Sequence, residues 1–130
     1  MAKIEKFEDI EAWKMGRELV KGVYRVTLAG EFARDYGLKD QVRRASVSIL
    51  SNIVEGFERG GNKEFLQFLA TAKGSCGEVR AQLYVAIDQS YLSDEQFNSL
   101  FAQSLDISRM LSGLIKYLRE SELRGNKYKD

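Results

Sequence analysis

The feature that most constrains the fold is a heptad pattern of apolar residues between about residues 62 and 90. Its members recur at alternating steps of four and three: Phe65, Leu69, Ala72, Cys76, Val79, Leu83 and Ala86. Such a seam is typical of a long helix that packs at a shallow angle against neighbouring helices. The chain also contains no proline. Because proline is the strongest helix breaker, long helices joined by Gly and Asn are expected.

Three further segments follow the helical period, at about residues 9–28, 38–57 and 93–122. The last of them opens with Ser93-Asp94-Glu95-Gln96, a predicted capping box. One broad apolar arc on the first helix should face the core: Ala12, Trp13, Leu19, Val20, Val23, Tyr24 and Val26. Four helices with short connections predict an all-α, antiparallel up-down-up-down four-helix bundle. A length of 130 residues fits one domain over residues 1–130.

The composition argues against an enzyme. Histidine is absent, and with it the commonest general base and zinc ligand, as well as the di-iron sites of many helical bundles. No nucleophile, base and oxyanion-stabilising set can be assembled, so no catalytic residue, metal site or cofactor is predicted. Cys76 lies on the apolar seam, where a small buried hydrophobe is expected. No apolar run could span a membrane and no signal sequence is seen, which predicts a cytoplasmic protein with no membrane partner.

The predicted last helix carries more apolar surface than one core-facing stripe needs. Its apolar residues cover roughly 240° of the helical wheel, against about 100° for a typical stripe. A neighbouring loop or the tail from Leu123 to Asp130 could cover the excess. Exposed apolar patches of this size usually mark an interface, so self-association is the favoured prediction. The hypothetical interface residues are Met110, Leu114 and Tyr117.

A basic stripe is predicted on the exposed face of the first helix. Lys14, Arg17, Lys21 and Arg25 are spaced by 3, 4 and 4 residues, within roughly 80° of the wheel. Successive cations lie about 5 to 6 Å apart along the axis, comparable to the spacing of backbone phosphates. The stripe is either a solvated surface beside Glu11 and Glu18 or a nucleic-acid-binding surface, since a net charge of +1 leaves only local patches to attract a polyanion. The basic tail residues Arg124, Lys127 and Lys129 could add to it.

A polar row lies beside the apolar stripe of the second helix: Arg44, Ser48, Asn52 and Glu55. Polar groups between packed helices need partners, and they more often fix register than perform catalysis. Glu78 on the third helix is a candidate ion-pair partner for Arg44.

Several short stretches carry a family resemblance. They are residues 7–13 (FEDIEAW), 36–38 (YGL), 41–49 (QVRRASVSI), 51–56 (SNIVEG) and 74–78 (GSCGE). Over about residues 7–120 the chain resembles the four-helix bundle proteins encoded by intervening sequences in bacterial 23S ribosomal RNA genes, often labelled S23 ribosomal proteins. It is also distantly similar to the accessory protein of diversity-generating retroelements.

The resemblance implies a homo-oligomer, typically a pentameric ring, without demonstrated enzyme activity. The retroelement relative binds nucleic acid and a reverse transcriptase through a basic surface, whereas this chain is nearly neutral. Five positions match the family motif, where their role is structural as much as functional: Arg44, Asn52, Glu55, Gly56 and Glu78. The expected partners are therefore a second copy of the chain, RNA or DNA, or alternatively another protein bound by a scaffold ring without a nucleic-acid role.

Overall fold

The computed structural model describes residues 4–127, with side chains for residues 4–122. A 3-10 turn at Phe7–Asp9 precedes five α-helices: α1 (Glu11–Val26), α2 (Gly30–Arg34), α3 (Tyr36–Glu58), α4 (Asn62–Asp88) and α5 (Asp94–Lys127). The four long helices contact one another in the cyclic order α1, α3, α4, α5. Short connections make successive long helices antiparallel, which confirms the predicted all-α bundle. Within the described residues, no helix is long and apolar enough to cross a membrane.

The predicted first helix was too long at both ends. At the start, the carboxylate of Asp9 accepts hydrogen bonds from the backbone N–H groups of Glu5 (3.1 Å) and Lys6 (3.2 Å), which holds the 3-10 turn. At the end, the hydroxyl of Thr27 donates to the carbonyl oxygen of Val23 at 2.8 Å. Thr27 is the C-cap residue of α1, which ends at Val26.

The short helix α2 was not predicted. It buries Phe32, whose ring stacks on that of Tyr91 at 5.3 Å between centroids. Asp35 follows it and caps α3, because its Oδ1 accepts the N–H of Leu38 at 3.1 Å. Helix α3 therefore begins at Tyr36, two residues before the predicted start. A five-residue helix is too short to leave a periodic signal in the sequence.

The heptad seam lies in the core as predicted. All seven of its residues are buried, including Cys76. The capping box of α5 is also confirmed, since the N–H of Gln96 donates to Ser93 Oγ at 3.0 Å and the N–H of Ser93 donates to Gln96 Oε1 at 2.9 Å. The two later helices differ from prediction at their ends, with α4 stopping at Asp88 and α5 continuing to Lys127.

Two expectations about apolar surface need correction. Tyr24 does not face the core: it is 39% exposed, and its ring lies 4.3 Å from the guanidinium carbon of Arg43. The broad apolar arc of α5 is largely covered by its own chain, because α5 packs against both α1 and α4. One helix with two neighbours buries a wider arc than a single stripe. Among its large apolar side chains up to Glu122, Tyr117 remains the exposed one, at 46%.

Candidate functional site

The four cations of the predicted stripe project from the outer face of α1, and all four side chains are exposed. Two of them have carboxylate neighbours one turn away. Lys14 Nζ lies 3.2 Å from Glu11 Oε1, and Lys21 Nζ lies 3.3 Å from Glu18 Oε1. Such solvent-exposed pairs are weak and exchange readily for other anions. Arg17 and Arg25 form no ion pair with any described residue, so their guanidinium groups are available to a ligand.

The carboxyl-terminal half of the stripe borders a groove of about 520 Å³ between α1 and the first turns of α5. Its walls carry both signs of charge, Lys21 and Arg25 against Glu18 and Glu95. Gly22 lets the helices approach here, since a Cβ at this position would lie 2.7 Å from Leu100 Cδ2. Because these charges cancel, the groove itself offers a polyanion no net positive charge.

The basic tail residues fall where side chains are not described. The side chains of Arg124 and Lys127, and the whole of Lys129, lie outside the described residues.

The polar row of α3 divides into a structural centre and exposed ends. At the centre, Ser48 Oγ and Ser75 Oγ are 3.0 Å apart and share a hydrogen bond across α3 and α4. Asn52 Nδ2 donates to both the carbonyl oxygen (2.8 Å) and the hydroxyl (2.9 Å) of Ser48. Ser75 Oγ also lies 3.3 Å from the carbonyl oxygen of Thr71, as a donor. This network satisfies polar groups between two packed helices and fixes their register.

The proposed pairing of Arg44 with Glu78 was wrong within the chain. Both side chains are exposed and no ion pair joins them. Glu55 instead bonds Arg59 one turn further on, at 2.9 Å between Oε1 and the guanidinium. The serine contact and the small residues set the register of α3 against α4. At this register the charged ends of the polar row lie at the surface.

Gly56 is a packing position. It is buried, and a Cβ here would lie 2.6 Å from Phe68 Cβ and 3.4 Å from Phe65 Cα. Only glycine allows α4 to approach α3 this closely at the end where the two helices are joined.

Sequence reasoning missed the role of Arg43. Its Nε donates to Thr27 Oγ1 at 2.8 Å and its terminal nitrogen donates to the Thr27 carbonyl oxygen at 3.4 Å. The guanidinium group thus lies at the carboxyl end of α1 and bonds it there, where the helix dipole favours a cation. The Arg43-Arg44 pair was visible in the sequence, but nothing in the pattern distinguishes the buried-side arginine from its exposed neighbour.

The three hypothetical interface residues have different surroundings. Leu114 is 7% exposed, Met110 is half-buried and Tyr117 is exposed. Met110 and Leu114 line an apolar pocket of about 350 Å³ together with Ile4 and Ile10. Tyr117 follows Leu114 by three residues and does not line this pocket.

No chemistry is assembled at Cys76. The thiol is fully buried, and desolvation raises its pKa to about 11 although the charge of Arg80 opposes the rise. A thiol with so high a pKa is protonated at neutral pH and is a poor nucleophile. Among the residues with described side chains, no cluster of three Cys, Asp or Glu groups could hold a metal ion.

Comparison with known proteins places these features in a family. Residues 8–113 match the model of the 23S rRNA-intervening sequence protein. The chain belongs to this family. The matched region runs from the 3-10 turn into α5, so it includes the basic stripe, the serine network and Gly56.

A solved structure shares the fold of this 23S rRNA-intervening sequence protein. It is a protein of unknown function from the S23 ribosomal protein family of Bacteroides thetaiotaomicron VPI-5482, with a TM-score of 0.73 and 22% sequence identity. The alignment covers 81% of this chain and 98% of that one. At this identity the likeness establishes the bundle architecture alone. The search of curated proteins found no match.

Proposed function

We propose that this protein is a non-enzymatic homo-oligomer that binds the backbone of RNA or DNA through Lys14, Arg17, Lys21 and Arg25. The observation that carries the proposal is the exposed line of cations on α1, in which Arg17 and Arg25 have no ion-pair partner among the described residues. Guanidinium groups bind phosphate through two parallel N–H bonds, which suits them to a sugar-phosphate chain.

Binding of this kind should be sensitive to salt and nearly independent of sequence, because the contacts are to phosphates. The test is filter retention of a single-stranded RNA and a duplex DNA at low salt, by the wild type and by the double variant Arg17→Glu/Arg25→Glu. We expect the variant to retain both nucleic acids much more weakly than the wild type does. For the conservative variant Arg17→Gln/Arg25→Gln, the slope of log affinity against log salt should fall by about 0.7 to 0.9 for each phosphate contact removed.

The matched control is Arg34→Glu/Arg109→Glu, which makes the same charge change at two exposed arginines away from the stripe. Equal losses in both double variants would mean that total charge, rather than the stripe, governs retention. Absence of retention by the wild type at low salt would refute the proposal.

We infer self-association through the middle of α5, where Met110 and Leu114 line the apolar pocket and the exposed Tyr117 follows Leu114 by three residues. The family resemblance suggests a pentameric ring. Repetition of the α1 stripe around a ring would create a strong local field from a nearly neutral chain.

The alternative function is a protein-binding scaffold ring without a nucleic-acid role. An aromatic cluster favours it: the ring of Tyr84, 53% exposed, lies 5.3 Å from that of Phe97 and 5.4 Å from that of Phe101, by their centroids. Exposed aromatic groups of this kind are enriched at protein interfaces. Charge reversal on the α1 stripe separates the two functions, because a scaffold of this type would keep its partner in that variant.

A further inference from the structure

A second basic surface, separate from the α1 stripe, lies between α4 and α5. It is a groove of about 640 Å³ whose lining includes four cations and two hydroxyls: Lys73, Arg80, Lys116, Arg119, Ser108 and Ser112. No residue of α1 contributes to it. The sequence pattern gave no sign of this groove, because its cations come from two helices that are distant along the chain.

Small side chains create the groove. Near its upper end α4 and α5 are in direct contact, where Ser104 Oγ donates to the carbonyl oxygen of Cys76 at 2.9 Å. Beyond that contact the facing positions include Ala70 and Gly74 on α4 and Ser112 on α5, and the helix surfaces leave a channel between them. A Cβ added at Gly74 would meet no atom within 4 Å, so the channel is open at this position.

The charges in the groove are one-sided. Four cations face a single carboxylate, that of Glu120, which leaves three net positive charges. Lys73, Lys116 and Arg119 form no ion pair with any residue whose side chain is described. A concave surface of one sign with low-dielectric walls concentrates its field more than a convex helix does. The α1 stripe, by contrast, includes two carboxylate-paired lysines.

Arg80 is held in place at the upper end of the groove. One terminal nitrogen donates to Ser104 Oγ at 3.1 Å and to the Ser104 carbonyl oxygen at 3.4 Å. The guanidinium group has further N–H donors that these bonds do not use. Because the side chain of Arg80 is already ordered, binding an anion costs little further conformational entropy.

The shape and donors of the groove point to a particular ligand chemistry. From Ser108 to Arg119 the α5 wall spans twelve residues, about 16 Å along the helix axis, which is longer than one anionic group. Guanidinium forks, ammonium groups and serine hydroxyls together match tetrahedral anions with several acceptor oxygens. We propose that the α4–α5 groove binds a linear run of phosphate groups, independently of the α1 stripe.

The test uses the full-length protein, labelled with nitrogen-15, and inorganic triphosphate as the probe. Amide shifts on titration at low salt should cluster at groove positions on both helices, such as Gly74 and Ser112. The variant Gly74→Glu adds a carboxylate at the channel, and its Cβ would meet no atom within 4 Å. We expect it to weaken triphosphate binding at least tenfold, as measured by calorimetry.

The matched control is Gly37→Glu, the same substitution at an exposed helical glycine outside the groove, where a Cβ makes only ordinary contact with Asp35. It should bind triphosphate as the wild type does. Lys116→Gln/Arg119→Gln provides a second groove variant that adds no bulk, and it too should weaken binding. Unchanged affinity in both groove variants would overturn the proposal.

Two further probes identify the source of the phosphates. If triphosphate and an oligouridylate both shift the groove amides, a free polyphosphate is sufficient. If only the oligouridylate does so, the ligand is a nucleic-acid strand. Equal shifts with polyglutamate would show that the groove is not selective for phosphate and would overturn the assignment. Repeating the titration in Arg17→Glu/Arg25→Glu keeps this result separate from the α1 proposal, because the groove shifts should persist there.

Discussion

At the scale of single residues, small side chains carry more of the structure than charged ones. Gly56 permits the approach of α3 and α4, and Ser48 and Ser75 join the same two helices through one hydrogen bond. Arg44 and Glu78, two of the three charged residues at the family-motif positions, are exposed and do not pair with each other. A residue motif can therefore combine packing positions with surface positions that are free for binding.

Replacing Gly56 by alanine should destabilise the protein. The new methyl group would lie 2.6 Å from Phe68 Cβ, and neither helix can move without disturbing the core. We expect a loss of about 1 to 3 kcal/mol in the free energy of unfolding, measured with urea. Gly74→Ala is the control: its methyl group enters open space, so higher helix propensity should stabilise by about 0.5 to 1 kcal/mol. Equal effects of the two substitutions would contradict the packing role of Gly56.

Cys76 should resist thiol reagents in the folded protein. Burial raises its pKa to about 11 and also blocks access, while an unfolded cysteine ionises near pH 8.5. At pH 8 the native protein should therefore give almost no reaction with a disulfide reagent, and the urea-unfolded protein should react fully. Fast modification of the folded form would show that the α4–α5 packing opens readily.

At the scale of elements, capping residues decide where helices start and stop. Asp35 caps α3, and its Oδ2 also accepts a hydrogen bond from the Tyr91 hydroxyl at 3.0 Å. This bond joins the start of α3 to the loop between α4 and α5. Thr27 ends α1 and is bonded by Arg43 of α3. The predicted end of α1 and the predicted start of α3, where these contacts lie, were each displaced by two residues.

The Tyr91–Asp35 bond should make stability depend on alkaline pH. Bonding to the Asp35 carboxylate, with smaller effects of burial and nearby charge, raises the pKa of Tyr91 above its usual value of 10.0. The neutral phenol is thus favoured by folding, so its contribution is complete below pH 10 and is lost as pH rises through the folded pKa. Tyr91→Phe should be less stable than the wild type at pH 8, and the difference should shrink above pH 10. A difference that stayed constant to pH 11 would exclude this linkage.

At the scale of the whole molecule, the basic surfaces occupy different sides of the bundle. The stripe follows α1, and the groove lies between α4 and α5. An apolar pocket lies between the amino-terminal segment and the middle of α5, and both line it. Self-association at the pocket would leave both basic surfaces to be repeated by the symmetry of the oligomer.

The proposed interface predicts that Tyr117→Glu shifts the sedimentation profile toward the monomer at micromolar concentration. A buried charge at a subunit contact has no partner, so its desolvation would oppose assembly. Tyr36→Glu is the matched control, because Tyr36 is the more exposed tyrosine and lies at the start of α3. Dissociation of both variants alike, or a wild type that sediments as a monomer, would contradict an interface at Tyr117.

The sequence alone determined that the chain is a bundle of four long helices, because a repeating apolar period forces amphipathic helices to pack together. It also identified the core seam and the capping box of α5, since both depend on residues close together along the chain. The tertiary structure decided which charges pair, that α5 has two neighbours covering its apolar arc, and that cations of α4 and α5 share one groove. Those properties depend on the rotation and register of helices against one another, which local periodicity does not encode.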